Sequence, residues 1–316
     1  MIETRELRAL PVPTANGAVV SIGVFDGVHL GHQAILAANV DRARKLGARA
    51  TVVTFAGHPK KLLLGREPRT LTSLGHRLEL FRRAGIEHTL ALTFDEELRR
   101  LEAEEFAADI LVKRLGARAF VLGFDSKFGR DRRGGPEFLL GLGYDVEVVD
   151  QVQVGGRAVS STAIREAVEL GDLEGARRML GRSVSVLGDV IAGAQIGREL
   201  GFPTANLDLH HELHPPSGVY AGLARVLGRP EQHLAVANIG VRPTVDGALR
   251  QNGPGSRATV EVHLLDFRAD IYGEQVEFQF THRLRGEQRF EGRAALAQQI
   301  ASDVTAARGL LSGRGA

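Results

Sequence analysis

The stretch "GVFDGVHLGH", residues 23–32, decides how the first half of the chain is read. The apolar run "AVVSIGVF" (18–25) leads into it and reads as a buried strand. The segment "GHQAILAANVDRARKLG" (31–47) leads out of it and reads as a helix with a glycine stop. Three glycines, an aspartate and two histidines therefore fall at a strand-to-helix turn. In a doubly wound fold, ligands bind at the carboxyl ends of strands. The free N–H groups and the dipole of a helix start favour phosphate there. His29 is expected in the turn and His32 in the first helical turn, so both imidazoles can face one anion.

Other readings of the pair are weaker. A lone histidine is usually structural. An H-x-x-H pair can be half a metal site, but zinc would need a further ligand and the chain has no cysteine. A G-x-G-x-x-G fingerprint is absent at this turn, so a dinucleotide site is not supported. A phosphate site is the reading adopted.

Working outward, "ARATVVTF" (48–55) reads as a second strand, with helical patterns near 73–84 and 104–115 and further strands near 88–94, 118–123 and 145–152. This alternation predicts a doubly wound parallel sheet covered on both faces. After about residue 180 the pattern changes. Segments 183–193, 218–227, 232–240, 258–267 and 274–285 are strand-like and separated by Gly/Pro-rich turns, the pattern of a barrel or sandwich. Residues 171–182 read as a short helical connector, 247–257 as a loop, and 293–309 as a closing helix. Two domains are expected, 1–180 and 181–316, in keeping with a length of 316 residues.

Composition narrows the function classes. Hydrophobic residues make up 43%, enough for ordinary cores. Without cysteine, disulfides and thiolate metal sites are excluded. The net charge is +2, and 35 arginines and 5 lysines are mixed with 38 acids, so no basic nucleic-acid face is expected. The start "MIETRELRAL" lacks a signal-peptide apolar core, and no apolar run is long enough to span a membrane. A cytoplasmic location without membrane or nucleic-acid partners is the expectation. The oligomeric state is left open.

"GVFDGVHLGH" resembles the H-x-G-H motif of the nucleotidylyltransferase superfamily, in the extended form of bacterial FMN adenylyltransferases. A second motif of that family, S-S-T-x-I-R, has its counterpart in "VSSTAIREAV" (159–168). Alone, the serines and threonine would be a good helix cap. The resemblance implies that His29 and His32 contact the α- and β-phosphate region of ATP. It implies that Ser161, Thr162 and Arg165 hold the outer phosphates, and that Gly23, Phe25, Asp26 and Gly31 complete this site. On the flavin side it implies His58, Asp125 and Phe128. Segment 92–129 follows the family closely. Two departures stand out: Ala56 and Gly57 replace an acidic residue and a proline, and Ser126 stands where an aromatic is common. The implied chemistry suits these residue types. The FMN phosphate is already ionised, so its attack on the α-phosphate of ATP needs alignment and charge stabilisation rather than a strong base.

The second half resembles bacterial riboflavin kinases in four segments: "GRELGFPTAN" (197–206), "PPSGVYAG" (215–222), "NIGVRPT" (238–244) and "VEVHLLDF" (260–267). Together the halves resemble the bifunctional riboflavin kinase/FMN adenylyltransferase family, which implies a C-terminal antiparallel β-barrel. No P-loop is present, and the last lysine is Lys127, so phosphates in this half must be held by other means. Gly193 and Gly197 permit a close backbone approach to phosphate, and Arg198 is a further ATP contact. By resemblance, Thr204 and Asn206 hold Mg-ATP through oxygen ligands, and Glu261 is the base for the ribityl hydroxyl. On pattern alone, "PTAN" would be a turn, and Glu261 would be a solvent-facing strand residue. ATP, riboflavin, FMN and FAD are the implied substrates and products, with Mg2+ as cofactor. The alternative is an active kinase joined to a weak or non-catalytic nucleotide-binding domain.

Overall fold

The apolar run at 18–25 is a strand only as far as Ile22, because Phe25 takes a left-handed backbone (φ 52°) that no strand accommodates. A computed structural model describes residues 1–4, 15–57, 69–193, 195–241 and 258–312. His58 and the 247–257 loop lie outside the described residues. The chain divides into two units, Met1–Ala163 and Ile164–Ala316.

The first unit holds a six-stranded parallel sheet made of β1 (Ile2–Thr4), β2 (Ala18–Ile22), β3 (Arg49–Phe55), β4 (His88–Leu92), β5 (Ala117–Gly123) and β6 (Val146–Val149). Their spatial order is β1-β4-β3-β2-β5-β6. The chain winds outward from β2 to β3 and β4, then returns to add β5 and β6 on the other side of β2. The winding therefore reverses between β2 and β5, where an open parallel sheet leaves its binding crevice. Both faces are covered. Val19, Val52 and Val121 pack with Leu36 and Phe81 on one side; Val20, Ile22 and Leu122 pack with Phe106 and Ile110 on the other. Leu36 belongs to helix α1 (Leu30–Leu46) and Phe81 to α2 (Leu74–Arg83). The helix expected near 104–115 is a turn at Ala103–Glu105 that continues as a π-helix over Phe106–Arg114. A two-stranded hairpin, β7 (Gln153–Val154) with β8 (Arg157–Ala158), precedes helix α3 (Ser161–Leu170).

The second unit resolves the choice between barrel and sandwich. Strands β9 (Ser185–Ile191), β10 (Ala205–Asp208), β11 (Gly218–Val226), β12 (His233–Val241), β13 (Ala258–Leu264) and β14 (Gln275–Arg285) close in the order β10-β13-β12-β11-β14-β9. All their pairings are antiparallel. Five of the six strands are legible in the sequence. The sixth, β10, is "ANLD" (205–208), which begins inside the GFPTAN motif and is too brief to show a period. Tyr220, Phe278 and Phe280 are fully buried and stack edge to face in the interior. Outside, Val219, Ala221 and Val236 pack with Ala307 and Leu311 of the terminal helix, Arg293–Leu311. Arg285 of β14 anchors this helix through a two-pronged ion pair with the buried Asp303, 2.8–3.1 Å. Helix α4 (Leu173–Leu180) buries Ala176 and Leu180 and groups with the barrel. The compact units divide at Ala163/Ile164, whereas the 180/181 boundary rests on the change to a strand pattern after about residue 180.

Candidate active sites

In the first unit, the turn from Gly23 to His29 sits at the carboxyl end of β2, beside the reversal of winding. Phe25, Gly27 and Val28 all have positive φ (52°, 80° and 39°). At the non-glycine residues Phe25 and Val28 such strain persists only where neighbours over-determine it. The Phe25 ring is buried edge to face against Phe81 and His32. Asp26 is 3% exposed, and its carboxylate accepts from the Leu71 amide (3.2 Å), the Thr72 amide (3.0 Å) and the Thr72 hydroxyl (3.3 Å). The Gly27 amide donates to that same hydroxyl at 2.9 Å. A Cβ at Gly27 would lie 2.7 Å from the Leu71 side chain, so glycine is required by space as well as by φ. Arg77, 4% exposed and unremarked in the sequence, donates to the carbonyls of Val24 (2.6 Å) and Phe55 (2.9 Å). Phe25 and Asp26 thus build the turn.

His29 caps α1: its Nδ1 accepts from the His32 amide at 3.3 Å. This assigns the ring proton of neutral His29 to Nε2, a donor. The two imidazoles stack with centroids 3.6 Å apart and planes 16° apart. His29 is buried and His32 half-buried. Gly31 follows the cap closely; a Cβ there would lie 3.2 Å from the His29 ring. The second motif meets the first. The Ser160 hydroxyl caps α3 by accepting from the Ala163 amide (3.2 Å), and the Ser161 hydroxyl donates to the Asp26 carbonyl at 2.9 Å. Thr162 is exposed, and Arg165 follows one turn on along α3.

On the side expected for flavin, Asp125 is exposed just past the carboxyl end of β5. Phe128 is a core residue, packed against Phe106 and Phe138. The exposed aromatic here is Phe124, 49% accessible, which the sequence reading passed over although it immediately precedes Asp125.

In the second unit, strand register assembles a site from distant segments. Asn206 on β10 pairs with Glu261 on β13, and Glu261 pairs with Asn238 on β12. Directly paired residues share a face. Val236 lies two residues from Asn238 and packs on the terminal helix, so this is the barrel's outer face. Glu261 is half-buried and Asn206 is 8% exposed. A Cβ at Gly193 would lie 2.1 Å from the Asn206 Nδ2, so the glycine leaves room for that amide. At Gly197 a Cβ would meet the Phe202 carbonyl at 2.4 Å and the Thr204 Oγ1 at 3.3 Å. Gly193, Gly197, Thr204, Asn206 and Glu261, named separately from the sequence, thus belong to one neighbourhood. Asn238 is the member the sequence reading did not single out. Its signal was its place in "NIGVRPT".

Beside Thr204 and Arg198 opens a cavity of about 430 Å3, also walled by Phe267, Asp270, Ile271 and Tyr272. The oxygens of Thr204 and Asn206 suit a hard cation. Among the described residues no group of three or more His, Asp or Glu side chains is placed to hold a metal, so remaining ligands would come from phosphate and water.

Comparison with known proteins agrees with both halves. The FAD synthetase family model matches residues 12–163 and the riboflavin kinase model matches residues 180–311. A bifunctional riboflavin kinase/FMN adenylyltransferase from Pseudomonas fluorescens is 40% identical over 302 residues, covering 94% of each chain. Its counterpart from Escherichia coli K12 is 37% identical over 312 residues, covering 96% of each. A crystal structure from Streptococcus pneumoniae, described as a macrolide-efflux protein, superposes with a TM-score of 0.77 at 31% identity, covering 97% of this chain and 98% of that one. With strand-end histidines, a Glu-centred barrel face and full-length relatives all in accord, the chain belongs to the family of bifunctional riboflavin kinase/FMN adenylyltransferases.

Proposed function

We propose that the two sites catalyse consecutive steps of FAD formation with the residue roles that follow. In the second unit, the terminal ribityl hydroxyl of riboflavin attacks the γ-phosphorus of ATP. The new O–P bond forms as the bond to the β-phosphate oxygen breaks, and ADP leaves. A neutral alcohol must lose a proton in this step, and Glu261 is the carboxylate that takes it. Asn206 and Thr204 bind the phosphate end, with the backbone at Gly193 and Gly197 close by, and the cavity beside Arg198 seats the nucleotide. Magnesium, held by Thr204 and Asn206, would offset the charge of the phosphates.

In the first unit, an FMN phosphate oxygen attacks the α-phosphorus of ATP and pyrophosphate leaves. His29 donates from Nε2, because its Nδ1 is engaged in capping α1. His32, the α1 N-terminus and the hydroxyls of Ser161 and Thr162 add further stabilisation, with Arg165 on the outer phosphates. No base is needed, and the stacked histidines serve as donors. Asp125 and Phe124 flank the flavin. Both reactions draw on ATP, which supports a cytoplasmic location.

The observation that carries the reading is the register that sets Glu261 between Asn206 and Asn238. Product chromatography tests it. Wild type with riboflavin, ATP and magnesium is expected to give FMN and then FAD. The His29→Ala/His32→Ala double variant is expected to stop at FMN, and Glu261→Gln to convert supplied FMN to FAD while failing to use riboflavin. If wild type stops at FMN, the first unit is a nucleotide-binding module and its assignment falls.

A further inference from the structure

One wall of the 430 Å3 cavity is the segment from Phe267 to Tyr272, between β13 and β14. Most of this segment is exposed, with Ile271 buried at 8% and the Gly273 amide donating to the Val190 carbonyl at 3.0 Å just beyond it. It is also tied at both ends by ion pairs to other elements. At its start, the Asp266 carboxylate accepts from Arg308 of the terminal helix at 2.7 Å. At its end, the Glu274 carboxylate accepts from Arg229 at 2.6 Å. Arg229 sits in the turn between β11 and β12, and its own amide is fixed by donating to the Val226 carbonyl at 3.1 Å.

Arg229 does a second thing. Its guanidinium lies 5.7 Å from the centroid of the Phe267 ring, within cation–π range. The opposite constraint on that ring is His233, edge to face at 5.0 Å. One cation therefore holds both ends of the wall: the carboxylate at Glu274 and the aromatic face at Phe267. A planar guanidinium can do both at once, whereas an ammonium is a point charge without the flat face.

We propose that Arg229 is a positioning residue for the kinase nucleotide: by clamping Phe267 and Glu274 it preorganises the cavity wall against which the base of ATP packs. The proposal rests on the reading of this cavity as the kinase ATP seat. Arg229 itself lines no part of the cavity and acts through Phe267.

Steady-state kinetics of both activities in the full chain test it. Arg229→Met is expected to raise the kinase KM for ATP by about fivefold or more with kcat changed less, as a loss of ground-state positioning should. The KM for riboflavin, which reports that the barrel is folded, and the KM for ATP in FAD formation from FMN should both stay unchanged. Arg229→Lys should fall between wild type and Arg229→Met, because it keeps the charge at Glu274 and loses the flat contact. Phe267→Ala separates the two layers of the argument. If Phe267→Ala leaves the kinase KM for ATP unchanged, the cavity is not the ATP seat and both ideas fall. If Phe267→Ala raises it and Arg229→Met does not, the wall stands and the clamp is overturned. An equal loss of kcat for every substrate in Arg229→Met would also overturn it, as a general defect of the barrel.

Discussion

At the scale of single residues, glycines and histidines act through the space and the protons they control. Gly193 is a case where one missing methyl matters. A Cβ there would fall 2.1 Å from the Asn206 amide nitrogen, and Asn206 is nine-tenths buried, so the amide cannot simply swing away. Misplacing a ligand group by about 1 Å can cost on the order of a hundredfold in rate. Gly193→Ala is therefore expected to lower riboflavin phosphorylation by about tenfold or more, while FAD formation from supplied FMN continues. Assaying the two reactions on one preparation checks this. Equal kinase rates in wild type and variant would mean that Asn206 is not needed where it stands. In the first unit His29 shows the complementary economy. Its cap bond to the His32 amide uses Nδ1, so the neutral ring carries its proton on Nε2.

At the scale of elements, β4 carries a titratable group in an apolar strand. His88 is buried, paired across to Ile2 of β1 and Thr51 of β3. Burial, reinforced by the charge of Arg49, pushes its pKa down to about 4. The folded state thus binds this proton less readily than the unfolded chain, whose histidine titrates near 6.5. The stability it contributes is complete above about pH 6.5 and is lost as pH falls toward about 4, by about 3 kcal/mol at most. Thermal unfolding followed by circular dichroism across pH 7 to 4 should show His88→Leu losing less stability than wild type over that window. Parallel curves for the two proteins would remove His88 as a source of acid sensitivity. Elements also show where local pattern runs out. The 3.6-residue period of 31–47 and the Gly47 stop appear as α1 and its left-handed cap, with ends displaced by one residue. β10 has four residues and no readable period, so only its pairing with β9 and β13 makes it a strand.

At the scale of the whole molecule, each unit has its own hydrophobic core and its own chemistry, so damage to one should spare the other. Asp26 offers the test, because its carboxylate satisfies two buried amides of the first unit alone. Asp26→Ala leaves those amides unpaired, at a cost of about 2–4 kcal/mol. Heat inactivation should then remove FAD formation at a temperature about 5–10 °C lower than in wild type, with the kinase inactivation temperature unchanged. Joint loss of both activities at the lower temperature would show that the units melt as one.

The order of elements, the change from α/β to all-β, and the side-chain types suited to phosphate and proton chemistry are legible in the sequence. Those are local properties: periodicity, turn-forming glycines and side-chain type are written within a few residues of each other. The remaining features come from long-range pairing and packing. Asn206 and Glu261 lie 55 positions apart in the chain, and only the β10–β13 register puts them side by side. Asp26 looks like a ligand residue in its motif, yet the 71–72 backbone claims its carboxylate. Phe128 looks equally available, yet Phe106 and Phe138 bury it and leave Phe124 exposed. Arg229 carries no motif at all, and its bearing on the cavity exists only because Phe267 and Glu274 come to it. Which partner a side chain meets across a long loop depends on pairing and packing energies summed over the fold, and no short stretch of sequence contains that sum.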